Sequence, residues 1–407
     1  SEMCIRDRNN TNDPTATLSP HGMFTTGMSS ATVNNGIGIA GNSYRCKFVP
    51  VRIDDANGFN FGYEGIVYLS DLGCKIINAS WGNTFPNPFA EEVIQYAINN
   101  NDALIIAAAG NSGLNENYYP ASYDGVMSVG ATGSTDLAWS LTTYGPMLDI
   151  VAPGELVRSC WPFNGYDISS GTSFSAPLVA GAAALVKSHF PTYTAQQIAE
   201  RLRVTADTSI YSLPGNGNRY HLLGSGRLNT LRALNDPEIP SIRYRNYQFA
   251  SNGNPFIIAG DTMLLTGDFL NYLSATNNLT VQLSTENPAI EILQGTVTAG
   301  SIATLQSVNN NATPFEIIVL PNAPINADVI FKLTYSDPLT NYSAFEYISV
   351  RVNKDYMDLA VNNLHTTITS RGSIGYNADY ATDGLGISFN NSGSQIYASG
   401  FMLGSGG

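Results

Sequence analysis

Residues 169–181 read "SSGTSFSAPLVAG". A turn rich in Ser, Thr and Gly gives way here to a run, Phe174–Val186, that is apolar on all sides and rich in alanine. Such a run suits a helix buried all round. Ser173 then stands where the turn enters the helix. Its backbone N–H has no partner within the helix and lies in the field of the helix N-terminus. A negative oxygen forming beside Ser173 would gain from both. Pro177, read as part of the first turn, has no helical hydrogen bond to lose. The same composition also makes an ordinary Ser/Thr-rich helix cap. Gly171-Thr172-Ser173-Phe174-Ser175 lacks the final glycine of a G-x-S-x-G elbow, which argues against that fold family.

Upstream of this stretch, short apolar runs alternate with amphipathic ones. "CKFVPVRI" (46–53), "CKIINASW" (74–81), "ALIIAAAG" (103–110) and "GVMSVGAT" (125–132) each suit a strand buried on both faces. Between them "FAEEVIQYAINNN" carries Phe89, Val93, Ile94 and Ala97 at helical spacing. Ala195–Val204 and Leu228–Leu234 read as further helices. The alternation predicts an α/β fold around a parallel sheet with helices on both faces.

After "NDPEIP" (235–240) the helical period disappears and Asn, Thr and Ser rise. In "FEYISVRVN" (345–353), Phe345, Tyr347, Ser349 and Arg351 fall on one face and Glu346, Ile348, Val350 and Val352 on the other. With "LTVQLST" and "AIEILQG" this predicts an all-β, sandwich-like domain over 237–354. Residues 355–407 read as the start of a further β segment that is cut short, and residues 1–8 ("SEMCIRDR") as a non-native leader.

The 407 residues carry a net charge of −13 and only 13% charged side chains. A nucleic-acid partner would need a basic face, so that class is excluded. No apolar run reaches the length of a membrane span. The spacings of Cys4, Cys46, Cys74 and Cys160 match neither a zinc site nor a CxxC pair, and the last three read as small buried hydrophobes. "GIGIAG" (36–41) matches G-x-G-x-x-G. It follows polar "TVNN" and leads toward a strand, the reverse of a dinucleotide fingerprint.

If Ser173 is a nucleophile it needs a base. His189 lies 16 residues along the same helix, about 24 Å away at 1.5 Å per residue. His365 is in the β-rich tail, and His221 sits in polar "NRYHLLG". His21, in "SPHGMFTTG", remains. "AAAGNSG" (107–113) ends a buried strand, which puts Asn111 at the C-terminal edge of the sheet, where ligands bind in open α/β folds. Its amide could donate to an oxyanion. The same residues also make an Asn-Gly-type turn.

Taken together these segments resemble the subtilisin-like serine proteases (subtilases). The order is His21, Asn111, Ser173, separated by 90 and 62 residues. "NNGIGIAG", "VPVRIDDANG", "GCKIINASWGN", "YPASYDGVMSVGAT", "DIVAPG", "GTSFSAP" and "GSGRLN" look like family blocks, and the likeness covers about residues 12–235. It implies a serine endopeptidase with Ser173 as nucleophile and His21 as general base, and an oxyanion hole of Asn111 and the Ser173 N–H. Ser80-Trp81-Gly82 and Gly58 would hold an extended peptide by strand addition. Ala107, Ala108 and Ala109 would line the specificity pocket. The resemblance further implies a calcium loop using the carbonyls of Val33, Ile37 and Ile39 and the side chain of Asn35, with no cofactor needed for the chemistry. The partners it implies are protein or peptide substrates, for a monomer that is secreted or on the cell surface.

Two departures stand out. "HGMFTTG" has bulky Met23 and Phe24 and hydroxyls at Thr25 and Thr26 where the family is small and apolar. The family's aspartate ends a buried strand well upstream of the histidine, whereas only Asp7 and Asp13 precede His21 here and no apolar strand precedes either. The expectation is a peptidase domain over 9–236 that lacks its N-terminal strand and catalytic aspartate, leaving this piece inactive. A second reading, a non-catalytic relative that binds peptides or glycans, stays open on "HGMFTTG" and on the low charge of the β-rich tail.

Overall fold

Leu104–Ala108 is the centre of the first half of the molecule, and every one of its side chains is buried. The computed structural model describes residues 20–55, 58–59, 61–251, 259–361, 364–369, 373–374, 387–389 and 399–400. Residues 1–8, Asp7 and Asp13, and most of 355–407 lie outside them. The chain divides into two units, Ser1–Ser241 and Ile242–Gly407.

In the first unit the order is α1 (His21–Ser30), a two-residue hairpin β1 (Asp54–Asp55) and β2 (Gly58–Phe59), α2 (Gly62–Asp71), β3 (Ile76–Ala79), α3 (Pro88–Asn101), β4 (Leu104–Ala108), β5 (Met127–Thr132), β6 (Ile150–Pro153), β7 (Val157–Trp161), β8 (Gly165–Ser169), α4 (Thr172–His189), α5 (Ala195–Val204) and α6 (Thr230–Asn235). Strands β3, β4, β5 and β6 form a parallel sheet in that order. Ile77, Ala79, Ile105 and Ala107 point to one face and meet Ile66 of α2 and Val93, Ile94 and Ala97 of α3. Side chains alternate along a strand, so Leu104, Ile106 and Ala108 face the other way. Helix α4 packs against all four strands. Its buried Ala176, Ala180, Ala182 and Ala183 let it lie close to them.

Four expectations need correction. "CKFVPVRI" is not a strand: Lys47 and Phe48 are exposed and no ladder forms over 46–53. Pro50 removes a donor from that run, and among the described residues no strand pairs with it. "GIGIAG" therefore does not lead into a strand either. Phe89 is 57% exposed. The Asn87 side chain accepts the Phe89 N–H at 3.0 Å and so starts the helix at Pro88. That register turns Ala90, Val93, Ile94 and Ala97 inward and leaves Phe89 one step off the stripe. Cys46, Cys74 and Cys160 are free and half-buried rather than buried. Helix α6 begins at Thr230, two residues later than its apolar pattern predicts, because Asn229 caps it through the Arg232 N–H at 3.1 Å.

The second unit is antiparallel. Strand β10 (Thr262–Asn271) pairs with β9 (Ile242–Ala250) along one edge, and with β15 (Phe315–Val319) and β14 (Ser307–Asn309) along the other, with β12 (Ile290–Gln294) beyond β15. A second sheet runs β13 (Thr296–Gly300), β11 (Leu279–Ser284), β16 (Ala327–Asp337), β17 (Tyr342–Val352). Phe249 of β9 and Phe331 of β16 lie 5.9 Å apart, so the two sheets meet through their apolar faces. Along β17, Glu346, Ile348, Val350 and Val352 are the buried set, as the alternation predicts.

Candidate active site

The turn before α4 is tied down at every residue. Gly171 N–H donates to Gly154 O at 2.8 Å. The Thr172 N–H and hydroxyl both reach Asn111 Oδ1 at 2.9 Å. Ser175 Oγ donates to Ala152 O at 3.0 Å, on β6. Asn111 follows the C-terminal end of β4 and Gly110, whose φ of +106° suits glycine alone. Because Thr172 supplies two donors to Oδ1, the orientation of the amide is fixed by its bonds. Nδ2 therefore faces away from Thr172. It stands 3.7 Å from where a Cβ on Gly171 would be, on the turn that leads to Ser173.

Pro177 is the sixth residue of α4, in its second turn, not its first. Having no N–H, it leaves the Ser173 carbonyl without the helical donor four residues on. Ser80 fills that place: its hydroxyl donates to Ser173 O at 2.7 Å and accepts from Asn78 Nδ2 at 2.9 Å. Asn78 Oδ1 is buried with no partner among the described residues. The Ser173 hydroxyl donates in turn to Ser80 O at 3.3 Å. Ser80→Ala is expected to destabilise the first unit by at most about 1–3 kcal/mol by orphaning that part-buried carbonyl, and Ser80→Thr to restore it. Urea denaturation followed by tryptophan fluorescence measures both, and an unchanged midpoint in Ser80→Ala would show that the carbonyl finds water.

His21 is the first residue of α1, and its ring lies 5.6 Å from that of Phe174, the neighbour of Ser173. Burial pushes its pKa below 6.5, and the positive end of the helix acts in the same direction. The irregular residues of "HGMFTTG" are absorbed locally. Thr25 and Thr26 donate their hydroxyls to Gly22 O at 3.0 and 2.8 Å, and Phe24 is buried against Phe174.

Of the residues expected to hold a peptide, Ser80 bonds Ser173, and Trp81 stands edge-on to Tyr63 with ring centroids 5.0 Å apart. Gly82 O already accepts the Tyr118 hydroxyl at 2.7 Å. Gly58 pairs with Asp55 in the β1–β2 hairpin. Ala107, Ala108 and Ala109 are all buried. Period-2 alternation sends the Ala107 methyl into the α2–α3 core, so its side chain is not a pocket wall. Ala109 packs beside Leu148 and Val151. In the loop expected to take calcium, Asn35 Oδ1 accepts the Ile37 N–H at 3.0 Å. Val33, Ile37 and Ile39 add only neutral carbonyls. Among the described residues no group of three or more His, Cys, Asp or Glu could hold a metal. Calcium takes about six to eight oxygens, so these four residues do not make a site by themselves.

Thr172, Asn78 and the side-chain role of Ser80 were not singled out by sequence. The signal for Ser80 was there: a proline four residues after Ser173 demands an outside donor.

The fold at this point is a parallel α/β sheet with a serine at a helix N-terminus and an asparagine just beyond the end of a central strand. The subtilase family model matches residues 1–229, more than half of the sequence, and the chain belongs to the subtilase family. Subtilases are serine proteases. Thermitase of Thermoactinomyces vulgaris is 33% identical over 53% of this chain and 74% of its own length. A thermostable alkaline protease of Halalkalibacterium halodurans is 40% identical over 48% of this chain, which spans 55% of that relative. A solved protease structure from Pseudoalteromonas arctica matches with a TM-score of 0.49 at 29% identity, covering 53% of this chain and 70% of that one. No helix among the described residues is long and apolar enough to cross a membrane.

Proposed function

We propose that the protein is a secreted serine endopeptidase in which Ser173 attacks the scissile carbonyl and His21 takes its proton. His21 then returns that proton to the leaving amine. The negative oxygen of the tetrahedral intermediate is held by Asn111 Nδ2 and the Ser173 N–H, at the positive end of α4. The observation that carries this reading is the pair of hydrogen bonds that the Thr172 N–H and hydroxyl donate to Asn111 Oδ1, which turns the amide donor toward the turn before Ser173. The Ser173 hydroxyl, resting on Ser80 O, turns to His21 when the N–H of an extended substrate takes that carbonyl. The substrate is an unfolded stretch of protein or a peptide, held by backbone at Ser80–Gly82.

The aspartate that orients the imidazole in such a site is assigned to neither Asp7 nor Asp13. A fluorophosphonate, which adds to an activated serine and loses fluoride, tests the assignment. Labelling on Ser173 that disappears in Ser173→Ala and His21→Ala is expected. Labelling that survives Ser173→Ala would remove Ser173 from the role.

A further inference from the structure

The helix that presents His21 is ten residues long and has no side-chain cap at its start. Its position is set by other elements. Phe24, 1% exposed, lies between two rings: Phe174 at 4.3 Å and Trp161, edge-on, at 6.4 Å. Phe174 lies in turn 5.6 Å from the His21 ring, tilted by 44°. Ser159, fully buried, donates to Phe24 O at 2.6 Å. A Cβ on Gly27 would stand 2.3 Å from Ser159 Oγ and 3.1 Å from Cys160 N and Sγ. Only glycine lets α1 rest this closely on β7. Ser159, Cys160 and Trp161 all belong to β7, and its partner β8 runs through Ser170 and Gly171 into Ser173. One hairpin therefore supports the helix of the histidine and leads directly into the helix of the serine.

We propose that the β7–β8 hairpin fixes where the His21 imidazole sits relative to Ser173, with Phe24 and Trp161 as positioning residues that act through Phe174. The proposal rests on the reading of His21 as general base. Aromatic contacts of this kind have preferred geometries, so Phe24 dictates the tilt of Phe174, and Phe174 dictates the side of the imidazole it covers. A shorter side chain at 24 frees Phe174 to rotate into the vacated space, and the imidazole follows. Trp161 is linked to His21 through this chain of rings.

The test is carried by NMR of the histidine side chains in the intact protein, with His21 assigned from its loss in His21→Gln. Trp161→Ala and Phe24→Leu are expected to displace the His21 ring signals and leave those of His189 and His221 in place. Trp161→Phe, which keeps an edge, is expected to return them close to their parent positions. In the complete protein, peptide hydrolysis by the two displaced variants should fall by about 10–100-fold in kcat, with KM held. Trp161 is 37% exposed and tolerates truncation, so it keeps the test open if Phe24→Leu does not fold. His21 signals unmoved in Trp161→Ala would overturn the proposal. So would a loss confined to KM, which would make Trp161 a substrate contact. If His21→Gln hydrolyses peptides at the parent rate, it is the assignment of the base that fails, and the ring signals still report on the hairpin.

Discussion

In the complete protein, Asn111→Ala is expected to lower kcat for peptide hydrolysis by about 10²–10³ and to leave KM near its parent value. The magnitude belongs to the equivalent donor of a subtilisin and is carried over from that relative. The physical case is local. Asn111 Oδ1 is 2.9 Å from both donors of Thr172, so the amide keeps one orientation before, during and after the reaction. A donor held in place costs no reorganisation when charge develops on the carbonyl oxygen. It gains little from the neutral carbonyl of a bound substrate, and so acts on kcat rather than on binding. Thr172→Val keeps the N–H and removes the hydroxyl, and its rate should fall between those of parent and Asn111→Ala. The pH profile gives an independent check. Burial lowers the His21 pKa below 6.5, and a general base works only when unprotonated. The neutral form thus persists to lower pH than for an exposed imidazole, and the acid limb of kcat/KM lies below 6.5. An unchanged kcat with a raised KM would take Asn111 out of the mechanism.

The parallel sheet was legible because β3, β4 and β5 are buried on the faces they present to helices, which leaves nearly continuous apolar runs. The helix after Ser173 was legible for a related reason, since it is apolar all round. "CKFVPVRI" carries the same local signal and is not a strand. Hydrophobicity reports that a run is suited to burial. A ladder also needs a neighbour with free N–H and C=O groups, and composition does not say whether one arrives. The site divides in the same way. Ser173, Asn111 and His21 stand out through glycine-rich surroundings and their order in the chain. Thr172 and the Ser80 hydroxyl act through contacts between residues 61 and 93 positions apart, and no short window of sequence contains both ends. The bulky Phe24 read as an irregularity. Its cause lies in the ring of Phe174, 150 residues later, and in the hairpin above it.

Glu346→Ala should destabilise the second unit selectively, at a cost of about 3–5 kcal/mol. Glu346 is a buried carboxylate on β17, and one of its oxygens takes the Tyr244 N–H of β9 and the Tyr335 hydroxyl of β16. The other faces Arg243 and Arg245 at 3.5 and 3.6 Å. Tyr335 is fully buried and its pKa is driven well above 10, first by that burial and then by the Glu346 charge, so it stays a donor. Removing the carboxylate strands two buried donors, at about 1–3 kcal/mol each. The two arginines keep some access to water and add less. The total approaches only the lower end of the stability of a domain, about 5–15 kcal/mol. Glu346→Gln keeps the shape and one acceptor and should cost less than half as much. Hydrogen exchange resolves the two units. Protection of the amides of β16 and β17 should fall by the full amount in Glu346→Ala, while that of β4 and β5 stays. All three tryptophans, Trp81, Trp139 and Trp161, lie in the first unit, so their fluorescence transition should not move. If it moves together with the loss of protection in β17, the two units unfold as one and the cost measured at Glu346 is shared by the peptidase fold.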